Sequence, residues 1–189
     1  TSYKFGRPAQ GIVNTPAECV IGGVRADVEK LAVVLGKSVT ALRGVTLAHC
    51  EAGRTVEIPY RELHTLPVTP PAGVAIYSGA WGRAYKPTER ACADSITAGL
   101  LATIDVPAVV NAAYRDGVRA FVEVGPGNSC VRMIDAVLGD RPHLARAAHA
   151  ARQDAASQVL RLVAHLAAER FPVNLGALYG QESLCAGHQ

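Results

Sequence analysis

"FVEVGPGNSCVRMI", residues 121–134, frames the chain: an apolar run of strand character reaches a Gly-Pro-Gly turn, and the turn opens a helical pattern. Such strand-turn-helix junctions can hold a catalytic group or an anion. This one lacks both the GxGxxG and the GxxxxGK[ST] patterns, so it carries no dinucleotide or phosphate signature. A strand that enters through Val122 and Val124 and leaves through the turn calls for glycine where a side chain would clash. The turn is therefore expected to be structural.

Upstream of this stretch, "ERACADSITAGLLATI" after Thr88 reads as a helix that Pro107 interrupts, and "AVVNAAYRDG" as a short amphipathic helix stopped by Gly117. Before them lies a proline-broken connection, "LHTLPVTPPAGVAIYSGAWG", which leads into the strand "GVAIYSG". Residues 41–53, "ALRGVTLAHCEAG", read as a strand through Val45 and Leu47 that ends at His49. Nearer the start, "AECVIGG" (17–23) is a β-prone run. "RADVEKLAVVLG" (25–36) follows it and sets Val28, Leu31, Ala32 and Leu35 at helical spacing before a glycine stop.

Downstream, "DAASQVLRLVAHLAAER" (154–170) places Val159, Leu160, Val163, Leu166 and Ala167 on one helical face behind Asp154 as N-cap. "FPVNLGALYG" then reads as an extended strap. Strands alternating with helices, without an internal repeat, predict an α/β protein.

Composition narrows the function. The chain has 189 residues, 49% of them hydrophobic, a net charge of +3 without a basic run, and only 5% aromatic residues. It lacks both the phosphate-tracking and the stacking signature of a nucleic-acid binder. Cys19, Cys50, Cys92, Cys130 and Cys185 are odd in number and widely spaced, with no CxxC pair, which argues against a zinc or redox motif and fits a reducing cytosol. No window approaches the ~20 apolar residues of a membrane helix, so a soluble, cytoplasmic protein with no membrane partner is expected.

The titratable residue that stands out is His49. At a strand end beside small residues, a neutral imidazole is a candidate general base for a hydroxyl or thiol. The alternative is a capped or half-buried histidine, which applies equally to His64, His143, His149, His165 and His188. Cys50 follows His49 directly, and neighbours on a strand point to opposite faces, so a Cys-His dyad between them is not expected.

Taken in order, "IVNTPAECVIGG", a helix, "VTLAHC", "PPAGVAIYSG" and "VPAVVNAAYRDGVRAFVEVGPGNSC" resemble the second half of the malonyl-CoA:acyl-carrier-protein acyltransferase family of fatty acid and polyketide synthases. The likeness covers residues 10–139, and "RFPVNLGALYG" extends it to about residue 180. "FVEVGPGNSC" and "LAHCE" look closest to the acyltransferases of iterative enediyne-type and polyunsaturated-fatty-acid-type synthases.

The resemblance implies a ferredoxin-like small subdomain over residues 1–48 and the C-terminal part of an α/β-hydrolase-like large subdomain over 49–149. A post-acyltransferase helix and linker strap would occupy 150–189. It also implies that His49 activates a serine in a GxSxG elbow. That serine attacks the acyl thioester, and the acyl group moves on to the phosphopantetheine thiol of an acyl carrier protein.

No GxSxG occurs in the 189 residues; neither Ser78 in "YSGAWG" nor Ser129 in "GPGNSC" has that context. In the family the elbow, and the arginine that pairs with a malonyl carboxylate, lie upstream of the small subdomain. The chain is accordingly expected to be the C-terminal part of an acyltransferase. Its partners would be the N-terminal part, an acyl carrier protein, and the ketosynthase and other synthase domains.

By the same resemblance Val109, in "DVPAVV", offers the backbone carbonyl that orients the catalytic histidine, and Asn14, in "VNTP", contacts the substrate pocket. Malonyl-CoA or a related acyl-CoA is the implied substrate, with no bound cofactor and no metal. Two functions stay open: acyl transfer with His49 as base, or a non-catalytic acyltransferase-like fragment that docks or scaffolds.

Overall fold

The β-prone run at 17–23 folds back on the residues before it. In the computed structural model, which describes residues 9–36, 39–42, 49–150 and 154–176, β1 (Ala9–Thr15) and β2 (Glu18–Gly22) form an antiparallel hairpin with Thr15 opposite Glu18. The Thr15 hydroxyl accepts from the Ala17 amide at 3.2 Å, a local bond of the kind that makes short polar side chains turn formers. Next comes α1 (Arg25–Leu35), with Val28, Leu31 and Ala32 half-buried as their spacing predicts. Leu35 stays 44% exposed, and Gly36 ends the helix at φ 65°. The strand expected through Val45 and Leu47 falls on residues 43–48, outside the described residues.

A 3-10 turn at Glu51–Val56 runs into α2 (Glu57–Leu63), and the proline-broken connection ends in a hairpin of β3 (Ile76–Ser78) and β4 (Arg83–Tyr85). Thr88 caps α3 (Glu89–Leu101) by accepting from the Ala91 amide. This helix stops short of the predicted end. Ile104–Asp105 leave it to form β5, which lies parallel to β1 with Ile12 opposite Ile104 and Val13 opposite Asp105, giving the sheet order β2-β1-β5.

Pro107 therefore interrupts nothing. It sits in the first turn of α4 (Val106–Arg115), where a missing N–H leaves no bond unmade, and the Asp105 carboxylate caps that turn through the Ala108 amide at 2.8 Å. α4 packs on β1 and on the β3-β4 hairpin, and α2 packs on α3.

The opening stretch forms β6 (Ala120–Pro126) and α5 (Ser129–Leu138). Its glycines have a different reason from the one the sequence suggested. A Cβ at Gly125 or Gly127 would meet nothing within 4 Å, so no clash excludes a side chain; Gly127 instead adopts φ 143°, which side chains disfavour. β7 (Leu144–His149), hidden in the sequence by its alanines, pairs parallel with β6.

α6 (Ala155–Ala168) starts at Asp154, which accepts from the Ser157 amide at 2.7 Å. Its inward face is turned by about one position from the predicted one: Gln158 is 6% exposed, whereas Val159 and Leu160 are 42% and 49% exposed. Gln158 is buried because its amide bonds both the N–H and the carbonyl of Ala150, closing two backbone groups that would otherwise need water.

The chain divides into two compact units, residues 1–119 with 132–143, and residues 120–131 with 144–189. In the second unit α6 packs on β7 and so groups with the β6-β7 pair. Among the described residues of the first unit, the buried apolar side chains are mostly small: Ala93 on α3, Val110, Ala112 and Ala113 on α4, Ile134 and Leu138 on α5. In the second, Val122 and Val124 on β6 are 41% and 86% exposed, although parallel sheets are ordinarily covered on both faces. No helix among the described residues is long and apolar enough to cross a membrane.

Candidate functional site

A helix ends with four carbonyls that have no partner inside it. At the end of α3 two of these are met by a segment about fifty residues away in sequence. His49 Nδ1 lies 2.5 Å from the Gly99 carbonyl oxygen, and the Cys50 amide donates to the Leu100 carbonyl at 3.1 Å. One helix end thus holds two consecutive residues, one through its side chain and one through its backbone.

The consequence for the ring is chemical. A carbonyl oxygen only accepts, so Nδ1 must carry the hydrogen, and the neutral imidazole then presents the lone pair of Nε2. That is the tautomer a general base needs. His49 is half-buried, and its backbone sits at φ 58°, a left-handed conformation that costs a residue with a side chain on the order of 1–3 kcal/mol. The two bonds to α3 and a further one from the Gly53 amide to the Cys50 carbonyl, at 3.2 Å, hold it there. Cys50 itself is buried at 8% exposure, consistent with a packing role.

The carbonyl that meets His49 Nδ1 is that of Gly99; the resemblance implies that of Val109 for the orienting role. Val109 lies inside α4, whose carbonyls serve the helix itself, and no hydrogen bond among the described residues joins it to His49. Helical periodicity identifies α3 as a helix without saying which residue falls in its last turn or what reaches back to it, so Gly99 carries no sequence signal.

Asn14 is 8% exposed on β1, and its amide donates to the Glu18 carboxylate at 2.9 Å. Arg132 donates to the other oxygen of Glu18, also at 2.9 Å. The Arg132 bond first, and then the Asn14 bond, hold the Glu18 carboxyl below the usual value of 4.5. Asn14 thus belongs to an Asn-Glu-Arg chain, and no hydrogen bond among the described residues connects it with His49.

The other histidines are engaged differently. His64 Nδ1 bonds the Tyr60 carbonyl of its own helix at 2.7 Å, and its ring lies 4.3 Å from that of Tyr60. His143 has both nitrogens occupied, by the Arg141 carbonyl and the Asp135 carboxylate. Of the serines, Ser78 is 2% exposed, and its oxygen accepts from Ser95 Oγ and the Trp81 amide. A hydroxyl so enclosed is not placed to meet a substrate. In the second unit, Cys130 lies in the first turn of α5, where burial and then the Glu123 carboxylate push its thiol up, away from the reactive thiolate.

No family model matches the chain. Its sequence is 27% identical over 192 residues to one of the subunits of the polyunsaturated fatty acid synthase of a Thraustochytrium species, a match covering 94% of this chain and 9% of that protein. Among solved structures, the acyltransferase domain from the second module of the salinomycin polyketide synthase matches 93% of this chain with a TM-score of 0.78 at 21% identity. The malonyl CoA-acyl carrier protein transacylase of Clostridium perfringens matches 94% with a TM-score of 0.69 at 16% identity.

The chain has the fold of part of such a domain, a ferredoxin-like subdomain with part of an α/β-hydrolase-like one. It spans 42% and 52% of those two structures.

Proposed function

We propose that this chain supplies the general base of an acyltransferase that moves a malonyl or related acyl group from coenzyme A to the phosphopantetheine thiol of an acyl carrier protein. The serine nucleophile is then contributed by a segment outside these 189 residues, since no GxSxG occurs among them. The observation that carries the proposal is the pinned imidazole of His49, with Nδ1 on the Gly99 carbonyl and no hydrogen bond to Nε2 among the described residues.

In the reaction, the serine oxygen attacks the thioester carbon while Nε2 takes the hydroxyl proton. The C–S bond breaks, and the coenzyme A sulfur leaves with that proton. The carrier thiol then gives its proton to Nε2 and attacks the serine ester, and the serine oxygen recovers the proton as the ester bond breaks. No cofactor enters this scheme. The acyl carrier protein and neighbouring synthase domains are its partners in a cytoplasmic multidomain enzyme. Asn14 is the proposed pocket residue, its amide bonded to the Glu18 carboxylate.

The absent elbow also favours a second reading, an acyltransferase-like fragment that only docks or scaffolds. Single-turnover loading separates the two. The chain, joined to its native serine-bearing segment, is mixed with radiolabelled malonyl-CoA, and label retained on the protein is followed in time. Retained label is expected, and His49→Ala should slow loading by about 10² to 10⁴ while circular dichroism stays unchanged. Loading of His49→Ala at the unmodified rate, or its abolition by His64→Ala instead, would overturn the assignment.

A further inference from the structure

The residues after His49 turn back within four positions, and they do so against the same end of α3 that holds the ring. Gly53 lies in the 3-10 turn at Glu51–Val56, and its amide closes that turn on the Cys50 carbonyl at 3.2 Å. A Cβ built on Gly53 would stand 2.9 Å from Leu100 Cγ, 3.2 Å from Cδ1 and 3.3 Å from Cδ2. The Gly53 backbone is not in the left-handed region, so nothing in its own conformation demands glycine. What demands it is the space. Cγ is the branch point of the leucine and all three contacted atoms are side-chain atoms, so relief comes either from a turn about χ1 or from a shift of the residue, whose carbonyl receives the Cys50 amide and whose neighbour, Gly99, receives His49 Nδ1.

We propose that Gly53 is a positioning residue for His49: its missing side chain lets the turn close on Leu100, and that contact sets the distance at which the imidazole meets the Gly99 carbonyl. The proposal rests on the reading of His49 as the base, but its consequence is visible in the ring alone. A methyl at position 53 pushes the last turn of α3 away from residues 49 and 50. The Nδ1–H bond to Gly99 weakens, the ring is no longer confined to the tautomer with Nε2 free, and the ring turns from its aim.

The test uses the full chain labelled with ¹⁵N-histidine, with the His49 signals assigned by their loss in His49→Ala. The neutral ring of the unmodified protein is expected to show the Nδ1–H tautomer. Gly53→Ala is expected to move the ring nitrogens toward a tautomer mixture, and Gly53→Ala with Leu100→Ala, which removes the clash, to restore the original pattern.

A Gly53→Ala protein that keeps the original pattern overturns the proposal. So does a double variant that folds but does not recover it. If Gly53→Ala alone fails to fold, the double variant decides: folding with the original tautomer supports the clash as cause, and failure to fold overturns it.

In the domain joined to its serine-bearing segment, Gly53→Ala should lower kcat by up to about 10² with KM for the acyl-CoA unchanged, as expected of a misaimed base. A normal loading rate in His49→Ala would remove the functional reading while leaving the tautomer result standing, so the two failures are distinguishable.

Discussion

The hydroxyl of Ser78 accepts from Ser95 Oγ at 2.8 Å and from the Trp81 amide at 3.3 Å, in a position 2% exposed. It is a joint between the β3-β4 hairpin and α3, although "YSGAWG" places it on a strand end where a nucleophile would also sit. Ser78→Ala strands the Trp81 amide and the Ser95 hydroxyl, so unfolding by urea should show a loss of about 1–3 kcal/mol. Acyl loading of the serine-bearing domain should be unaffected at a temperature where the variant is folded, and abolished loading would make Ser78 a candidate nucleophile. His49 presents the opposite case. Its type and its place after a β-prone run could be read from the sequence, because a histidine beside small residues is unusual enough to notice. Its left-handed backbone and its Gly99 partner could not, because both depend on which helix end arrives beside it.

Elements with a local signal were legible: α3, α4 and α6 each begin at a side-chain cap, Thr88, Asp105 and Asp154, that needs only its own next turn. Elements made by distant pairing were not. β5 is two residues long and exists because β1 accepts it in parallel, and β7 is alanine-rich and exists because β6 lies beside it. The inward face of α6 departs from its apolar spacing for a related reason: the spacing favours Val159 and Leu160, but the backbone of Ala150 requires a polar partner and draws in Gln158. Asp105 joins the two kinds of element, since its backbone pairs β5 with β1 while its side chain caps α4 at 2.8 Å. Asp105→Ala should cost about 1 kcal/mol, within the roughly 0.5–2 range typical of a lost cap, measured as a lower midpoint of denaturant unfolding at unchanged slope. Asp105→Asn or Asp105→Ser should recover most of it, because either oxygen can accept from Ala108. A loss equal for all three variants would mean that the cap contributes nothing and that the charge matters instead.

At the scale of the molecule, the second unit leaves an unusual surface: β6 pairs with β7 alone among the described residues, and Val124 is 86% exposed and Val122 41% on its open side. Parallel strands are stable when covered on both faces, and an apolar strand with an unpaired edge is a template for further association. The first unit, whose buried apolar side chains among the described residues are three alanines with Cys50, Val110, Ile134 and Leu138, points the same way, toward a fold that gains further apolar cover. If the serine-bearing segment of the proposed acyltransferase joins this unit, it would supply that cover. Two measurements follow from the exposed valine. The 189-residue chain by itself should self-associate as its concentration rises, and Val124→Lys should shift sedimentation toward the monomer with the circular dichroism spectrum unchanged, because a lysine on the open face keeps its charge in water. In the domain joined to its serine-bearing segment the same lysine would be enclosed without a partner for its charge, a costly arrangement, so the denaturation midpoint should fall. If Val124→Lys changes neither self-association nor the stability of the joined domain, the open face of β6 is not where the rest of the sheet attaches.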